Sequence, residues 1–191
     1  MMAGAERMPP LDPAVMNEAQ RKAAQVLAAG PRRGVKGPFI ALLRSPELMD
    51  RLQKVGEYLR FQSALPVRVS ELMVLLVARQ WTQQFEWFVH VPLALDAGVK
   101  PETIAGLADR RRPEAMATDE EVAYDFCNEL VQSRGVAETT YRRAVEQFGE
   151  QGVIDMLGLL GYFTTVSMVM NVARTPPPED DRVTPLALLP A

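Results

Sequence analysis

The sequence predicts an all-α protein. Three observations carry that reading. Apolar residues recur at 3–4 spacing through most of the chain, which is helical periodicity. No segment alternates with a period of two, and no Asn-Gly or Asp-Gly hairpin turn separates apolar runs. Helix punctuation is dense: Ser45-Pro46, Lys100-Pro101 and Thr118-x-x-Glu121 read as starts, and Gly98, Gly135 and Gly149 as stops.

A chain of 191 residues suits one domain with a sizeable core, or one domain with a long N-terminal extension. It is 48% hydrophobic and 24% charged, an ordinary globular composition. A net charge of -3 supplies no basic field, so nucleic acid and anionic lipid are not expected partners. The one cysteine, Cys127, excludes an internal disulfide and a CxxC pair. The opening residues lack the apolar stretch of a signal peptide, so a cytoplasmic protein is the default.

Residues 1–12 read as a flexible arm, with Pro9, Pro10 and Pro13 opposing helix. Residues 13–28 are helix-compatible. The basic, glycine-rich run 30–37 lacks the ending and preceding strand of a phosphate-binding loop. Its Arg32, Arg33 and Lys36 are solvated charge by default, or meet an anionic ligand. Residues 38–44 form a short helix. Ser45 caps the next, which runs to Phe61 with Leu48, Leu52, Val55 and Leu59 expected at the core.

A helix is expected up to Gln80, then a second from Thr82, its expected N-cap, to Ala97. A short helix ends near Ala108. The box Thr118-x-x-Glu121 opens one reaching Ser133. Residues 139–148 follow, stopped by Gly149. Residues 151–172 are long and apolar with Asp155 their only charge. The length suits a membrane span, but Gly158, Gly161, Thr164, Thr165, Ser167 and Asn171 favour a core or subunit-interface helix. The proline-rich end should lie extended on the surface or on a neighbouring subunit.

The stretch 68–98, RVSELMVLLVARQWTQQFEWFVHVPLALDAG, organises the rest. It holds both tryptophans and the sole histidine. Glu86 and His90 are four apart and share a helix face. Glu86 is placed to orient the ring and raise its proton affinity, making His90 a candidate acid or base. The bland alternative is a surface ion pair or a satisfied core histidine. Glu71 heads an apolar run, either as an exposed first-turn acid or as a buried acid with a task. A short turn at 80–83 permits an antiparallel hairpin that would bring Glu71, Glu86 and His90 into one pocket, shielded by Trp81, Phe85 and Trp87. In that pocket His90→Ala is expected to cost activity and little stability. A lone histidine without HExxH argues against zinc or iron. Cys127, on an apolar face, reads as core.

These same residues resemble the carboxymuconolactone decarboxylase-like family of the alkylhydroperoxidase D-like superfamily. That pattern is a glutamate followed, twelve residues on, by a C-x-x-C-x-x-x-H block. Glu71 and His90 keep the acid and the histidine, while Gln83 and Glu86 occupy the cysteine positions. The runs GPFIALLRSPEL, GEYLRFQSALP and LLGYFTTVSMVMNV resemble the cysteine-less branch.

The resemblance implies an alkylhydroperoxidase D-like bundle around a central antiparallel hairpin. It divides the chain into an arm and helix (1–34), the helical domain (35–175) and a proline-rich tail (176–191). Without the thiol pair, thiol–disulfide peroxide reduction is not expected. What remains is a cofactor-free carboxy-lyase of aromatic-compound catabolism, which takes a carboxymuconolactone to the enol-lactone of 3-oxoadipate and carbon dioxide. The catalytic candidates are His90, Glu86 and Glu71. The substrate-binding candidates are Arg79, Arg44, Arg60, Tyr58 and Trp87. No cofactor or metal is expected. The expected partners are a small organic acid or lactone and further copies of the chain, as a dimer or a trimer of dimers. The alternative is a catalytically divergent small-molecule binder or oligomeric scaffold.

Overall fold

The computed structural model describes residues 5–30 and 32–188. Among these residues there are eight helices and no strand. They are α1 (Glu18–Ala29), α2 (Pro38–Leu42), α3 (Pro46–Phe61), α4 (Val67–Gln80), α5 (Gln84–Asp96), α6 (Pro101–Ala108), α7 (Thr118–Ser133) and α8 (Glu138–Ala173).

Helix α4 is the axis of the bundle. Every residue from Val69 to Arg79 is buried, as expected for a helix that is apolar nearly all round. α5 folds back along it, while α6, α7 and α8 pack on its other sides. The contact of Glu71, early in α4, with His90, midway along α5, and the approach of Arg68 to Gly98 just past the end of α5 make the pair antiparallel. Gly98 takes φ +96° there, a value open to glycine. Arg68 also ties α4 to the start of α7, with 2.8 Å and 2.7 Å ion pairs to Asp119 and Glu120.

Several local expectations are corrected. Gln83, not Thr82, is the N-cap of α5: its side-chain oxygen accepts from the Phe85 and Glu86 amides. Thr82 sits one residue earlier at φ +46°, closing the turn. In α7 the N-cap is Ala117, and Glu120 rather than Glu121 reaches back, accepting from the Ala117 amide at 2.7 Å. In α3, Leu59 is buried and Leu52 packs partly buried against the core, as expected, but Leu48 and Val55 are exposed, and Met49 and Gly56 are buried in their place. At those two positions the buried residue is the one after the expected residue, and Gly56 is the position that lets α8 approach. Residues 13–17 precede α1, which begins where Asn17 and Gln20 form a reciprocal capping box.

Gly149 breaks α8, as its sequence position predicts, at φ +69° and ψ 171°. Beyond it the apolar arm is the helix long and apolar enough to cross a membrane among the described residues, and 56% of that window is buried in the fold. Asp155, its charge, is buried and accepts from the Tyr58 hydroxyl (3.0 Å) and the Ala64 amide (2.8 Å). It thereby fastens the end of α3 to α8. The C-terminal segment lies extended on its own chain. Val183 and Leu186 enter the main core, Trp87 donates to the Thr184 carbonyl, and Gln84 bonds both backbone groups of Leu186. At the other end, Leu11 and Met16 pack on a smaller core of Leu27, Phe39, Leu42, Leu43 and Met49. The expected residues 1–4 of the arm and 189–191 of the tail lie outside the described residues.

Candidate functional site

Glu71 comes from the second turn of α4, and Glu86 and His90 from consecutive turns of α5. The hairpin brings them into line. His90 Nδ1 lies 2.6 Å from Glu71 Oε2, and His90 Nε2 lies 3.1 Å from Glu86 Oε2. All three are buried: 8% exposed for Glu71, 5% for Glu86 and 2% for His90. Phe163 of α8 packs edge-on against the imidazole at 5.2 Å between centroids.

A histidine flanked on both nitrogens by carboxylates is an imidazolium donating twice. Burial by itself disfavours that charge. The hydrogen bonds to Glu71 and Glu86, with their charges, outweigh it and raise the pKa from 6.5 to about 9. The acids lie at opposite ring nitrogens, and among the described residues no group of three or more His, Cys, Asp or Glu is arranged to hold a metal ion.

A cavity of about 340 Å³ opens over this line. Glu86 and His90 form its polar floor, with Phe39, Phe61, Phe85 and Phe163 among its walls. Glu71 stands behind the histidine, outside the lining. Arg32 and Lys36, from the basic loop, and Arg60, from α3, bring positive charge to the same space. None of these three makes an ion pair among the described residues. Arg60 Nε is buried without a hydrogen-bond partner. The Arg32 guanidinium stacks 4.5 Å from the Phe39 ring centroid. Elsewhere, a hollow of about 440 Å³ between α1 and α3 has no comparable buried ionisable group in its walls.

Of the expected substrate-binding residues, Arg60 is the one at the cavity. Arg79 is buried on the other side of α4, where it donates to the Ala187 carbonyl and borders a different hollow near Arg110. Arg44 is exposed and bonds the Ile40 and Pro9 carbonyls. Tyr58 is held by Asp155. Trp87 donates to the Thr184 carbonyl of the C-terminal segment and lines a different hollow. Trp81 is 38% exposed at the turn. Of the three aromatics expected to exclude water, Phe85 alone lines the cavity.

The residues that sequence reasoning missed at the cavity come from distant segments: Tyr162 and Phe163 from α8, and Phe39 and Phe61 from around α2 and α3. Arg32 and Lys36, for which the sequence leaves solvated charge as the default and an anionic ligand as the alternative, line the cavity. The available signal was Gly56, a glycine inside an otherwise helical pattern, which marks close approach of a large side chain.

The two cysteine positions of the resemblance have defined substitutes. Gln83 caps α5 and donates to Asn171 Oδ1 at 3.1 Å. Glu86 bonds the histidine. Cys127 lies on α7, fully buried in the main core, where burial pushes its thiol pKa up.

Comparison with known proteins bears on the family pattern and the fold. A sequence model described as the Carboxymuconolactone decarboxylase family matches residues 46–126, which include Glu71, Glu86 and His90. No curated protein matches the chain. Among solved structures, an alkylhydroperoxidase AhpD core, an uncharacterized peroxidase-related protein from Ralstonia eutropha JMP134, superposes with a TM-score of 0.74 at 15% identity, covering 94% of each chain. An uncharacterized peroxidase-related protein from Silicibacter sp. TM1040 gives 0.71 at 14% identity, covering 93% of each. At these identities the likeness is one of fold. The chain therefore has the alkylhydroperoxidase-core fold, and over residues 46–126 it carries the sequence pattern of the carboxymuconolactone decarboxylase family.

Proposed function

We propose that the cavity over His90 decarboxylates a small carboxylated lactone or related organic acid without a cofactor, as a cytoplasmic carboxy-lyase of the 4-carboxymuconolactone decarboxylase type. The observation that carries the reading is a histidine with a carboxylate at each ring nitrogen, at the floor of an aromatic-walled cavity that also holds Arg32, Lys36 and Arg60. An organic anion with a flat apolar body suits that combination of cations and rings.

Decarboxylation needs an electron sink and one proton. As the bond to the carboxylate breaks, its electron pair moves through the conjugated double bond to the lactone carbonyl oxygen. Carbon dioxide leaves and a dienolate remains. The Nε2 proton of His90 then passes to carbon, with Glu86 holding that proton until the substrate carbon replaces it. Glu71 keeps the Nδ1 proton in place and steadies the ring through the transfer. Solvent returns a proton to His90, so one substrate anion and one proton yield product and carbon dioxide.

Thiol peroxidase activity is not part of this proposal. Gln83 and Glu86 stand where the thiols would be needed, and Cys127 is buried elsewhere. The competing reading is a divergent binder without catalysis, favoured by the same observation that both ring nitrogens already have partners. A carbon dioxide release screen over carboxylated lactones and β-keto acids decides between them. Release that depends on His90 supports the enzyme. Ligand binding without release selects the binder.

A further inference from the structure

Tyr162 lies in the same cavity, and the proposed reaction leaves it without a task. Its ring is buried and packs edge-on against Phe163, which in turn packs on His90. Its hydroxyl oxygen accepts from Arg32 Nη2 at 3.5 Å. The hydroxyl's own proton has no acceptor among the described residues. Burial raises the phenol pKa, with Glu86 adding to that and Arg32 and Arg60 opposing it, so Tyr162 is a neutral donor at ordinary pH.

The seat of this hydroxyl is built into α3. A Cβ at position 56 would lie 2.3 Å from the Tyr162 hydroxyl oxygen and 2.7 Å from Arg32 Nη2. Only glycine leaves that space. A glycine in a helix interior costs about 1 kcal/mol relative to alanine, and here it admits an arginine and a tyrosine side by side. The result is a phenol donor with a guanidinium behind it, both at a cavity whose floor is His90 and Glu86.

We propose that Tyr162 donates a hydrogen bond to the oxygen that becomes negative in the reaction. Arg32 and Gly56 are its positioning residues. This rests on the proposed decarboxylation, whose dienolate needs a donor on oxygen while His90 supplies the proton to carbon. The division is chemically sensible: a neutral phenol keeps its proton while donating a hydrogen bond, the guanidinium beside it strengthens that donor, and the imidazolium is the better proton source. Preorganised donors of this kind are typically worth about 100-fold or more in rate.

The test uses 4-nitrophenolate, whose charged oxygen stands in for the dienolate oxygen, and 4-nitrobenzoate, which carries the charge on a carboxylate. Binding of each to the full chain is titrated by absorption and by calorimetry. Tyr162→Phe is expected to weaken 4-nitrophenolate by about tenfold, the worth of one hydrogen bond to a charged group, and 4-nitrobenzoate by much less. Gly56→Ala should produce the same selective loss by displacing the hydroxyl. Should Gly56→Ala fail to fold, Tyr162→Phe alone decides, since it removes one oxygen atom and keeps the ring. Equal weakening of both anions means that Tyr162 only shapes the cavity, and overturns the inference. Failure of the native protein to bind 4-nitrophenolate overturns it as well. Carbon dioxide is not measured in this experiment, so a protein that holds the phenolate through Tyr162 but decarboxylates nothing loses the reaction and keeps the donor.

Discussion

The sole histidine makes the central ion network directly measurable. Glu71→Gln replaces the carboxylate at Nδ1 with a neutral amide of the same shape. The amide oxygen still accepts from Nδ1–H, so the ring stays oriented and only the charge is lost. In the native protein burial lowers the His90 pKa, and the hydrogen bonds and charges of Glu71 and then Glu86 carry it up to about 9. Against 6.5 in the unfolded chain, that rise corresponds to about 3 kcal/mol of preference for the imidazolium. The sign follows from linkage: the folded state binds this proton more tightly. The contribution is whole below pH 6.5, shrinks above it and is lost as pH rises through about 9. In Glu71→Gln the His90 pKa should fall by about one to two units. The stability gap between the two proteins should be widest below pH 6.5 and narrow toward pH 9. One imidazole resonance in a proton NMR titration reports the pKa, and urea denaturation across the same range reports the stability. A native His90 that titrates at or below 6.5, or a variant that titrates with the native protein, would refute the reasoning.

Four further outcomes are expected. His90→Ala should lower activity by about two orders of magnitude or more. Contrary to the sequence-based expectation, it should also cost about 3 kcal/mol or more in denaturation experiments, because Glu71 and Glu86 lose the cation between them. Arg60→Gln should weaken 4-nitrobenzoate binding about tenfold, whereas Arg44→Gln, outside the cavity, should leave it within about twofold of native. Cys127→Ser should leave turnover intact and cost about 1–3 kcal/mol by burying a hydroxyl in the core; peroxide reduction driven by a dithiol and lost in this variant would contradict the account. Finally, Ile154, Leu157, Met168 and Val172 leave an apolar stripe exposed along α8, and we expect a second copy of the chain to cover it. Sedimentation of a monomer at micromolar concentration would count against that expectation.

The helical hairpin was legible because its signals are local. Spacing alone puts Glu86 above His90, and a short turn fixes the direction of return, so Glu71 meets the ring from α4. Helix limits were read to within a residue or two wherever proline or glycine marks them, as at Pro46, Pro101 and Gly149. The rest of the cavity was not legible. Arg32 reaches Tyr162 across 130 positions of sequence, and a basic glycine-rich loop looks the same whether it is solvated or folded over a pocket. Arg79 misled for the opposite reason: an arginine in an apolar run suggests a site, but its partner is a backbone carbonyl of the C-terminal segment. Helix α3 misled by its face. Leu48 and Val55 fit the periodic pattern, and the contact with α8 is made through Gly56, a residue that carries no apolar signal.

The central claim is that His90, held between Glu71 and Glu86, delivers the proton that completes a cofactor-free decarboxylation. Its most direct measurement is carbon dioxide release by purified protein across a panel of carboxylated lactones and β-keto acids, run beside His90→Gln, which keeps a polar side chain between the acids. The account predicts release from at least one carboxylated lactone by the native protein and a loss of about 100-fold or more in the variant. Release that is equally fast in both proteins, or none from any member of the panel, would contradict it.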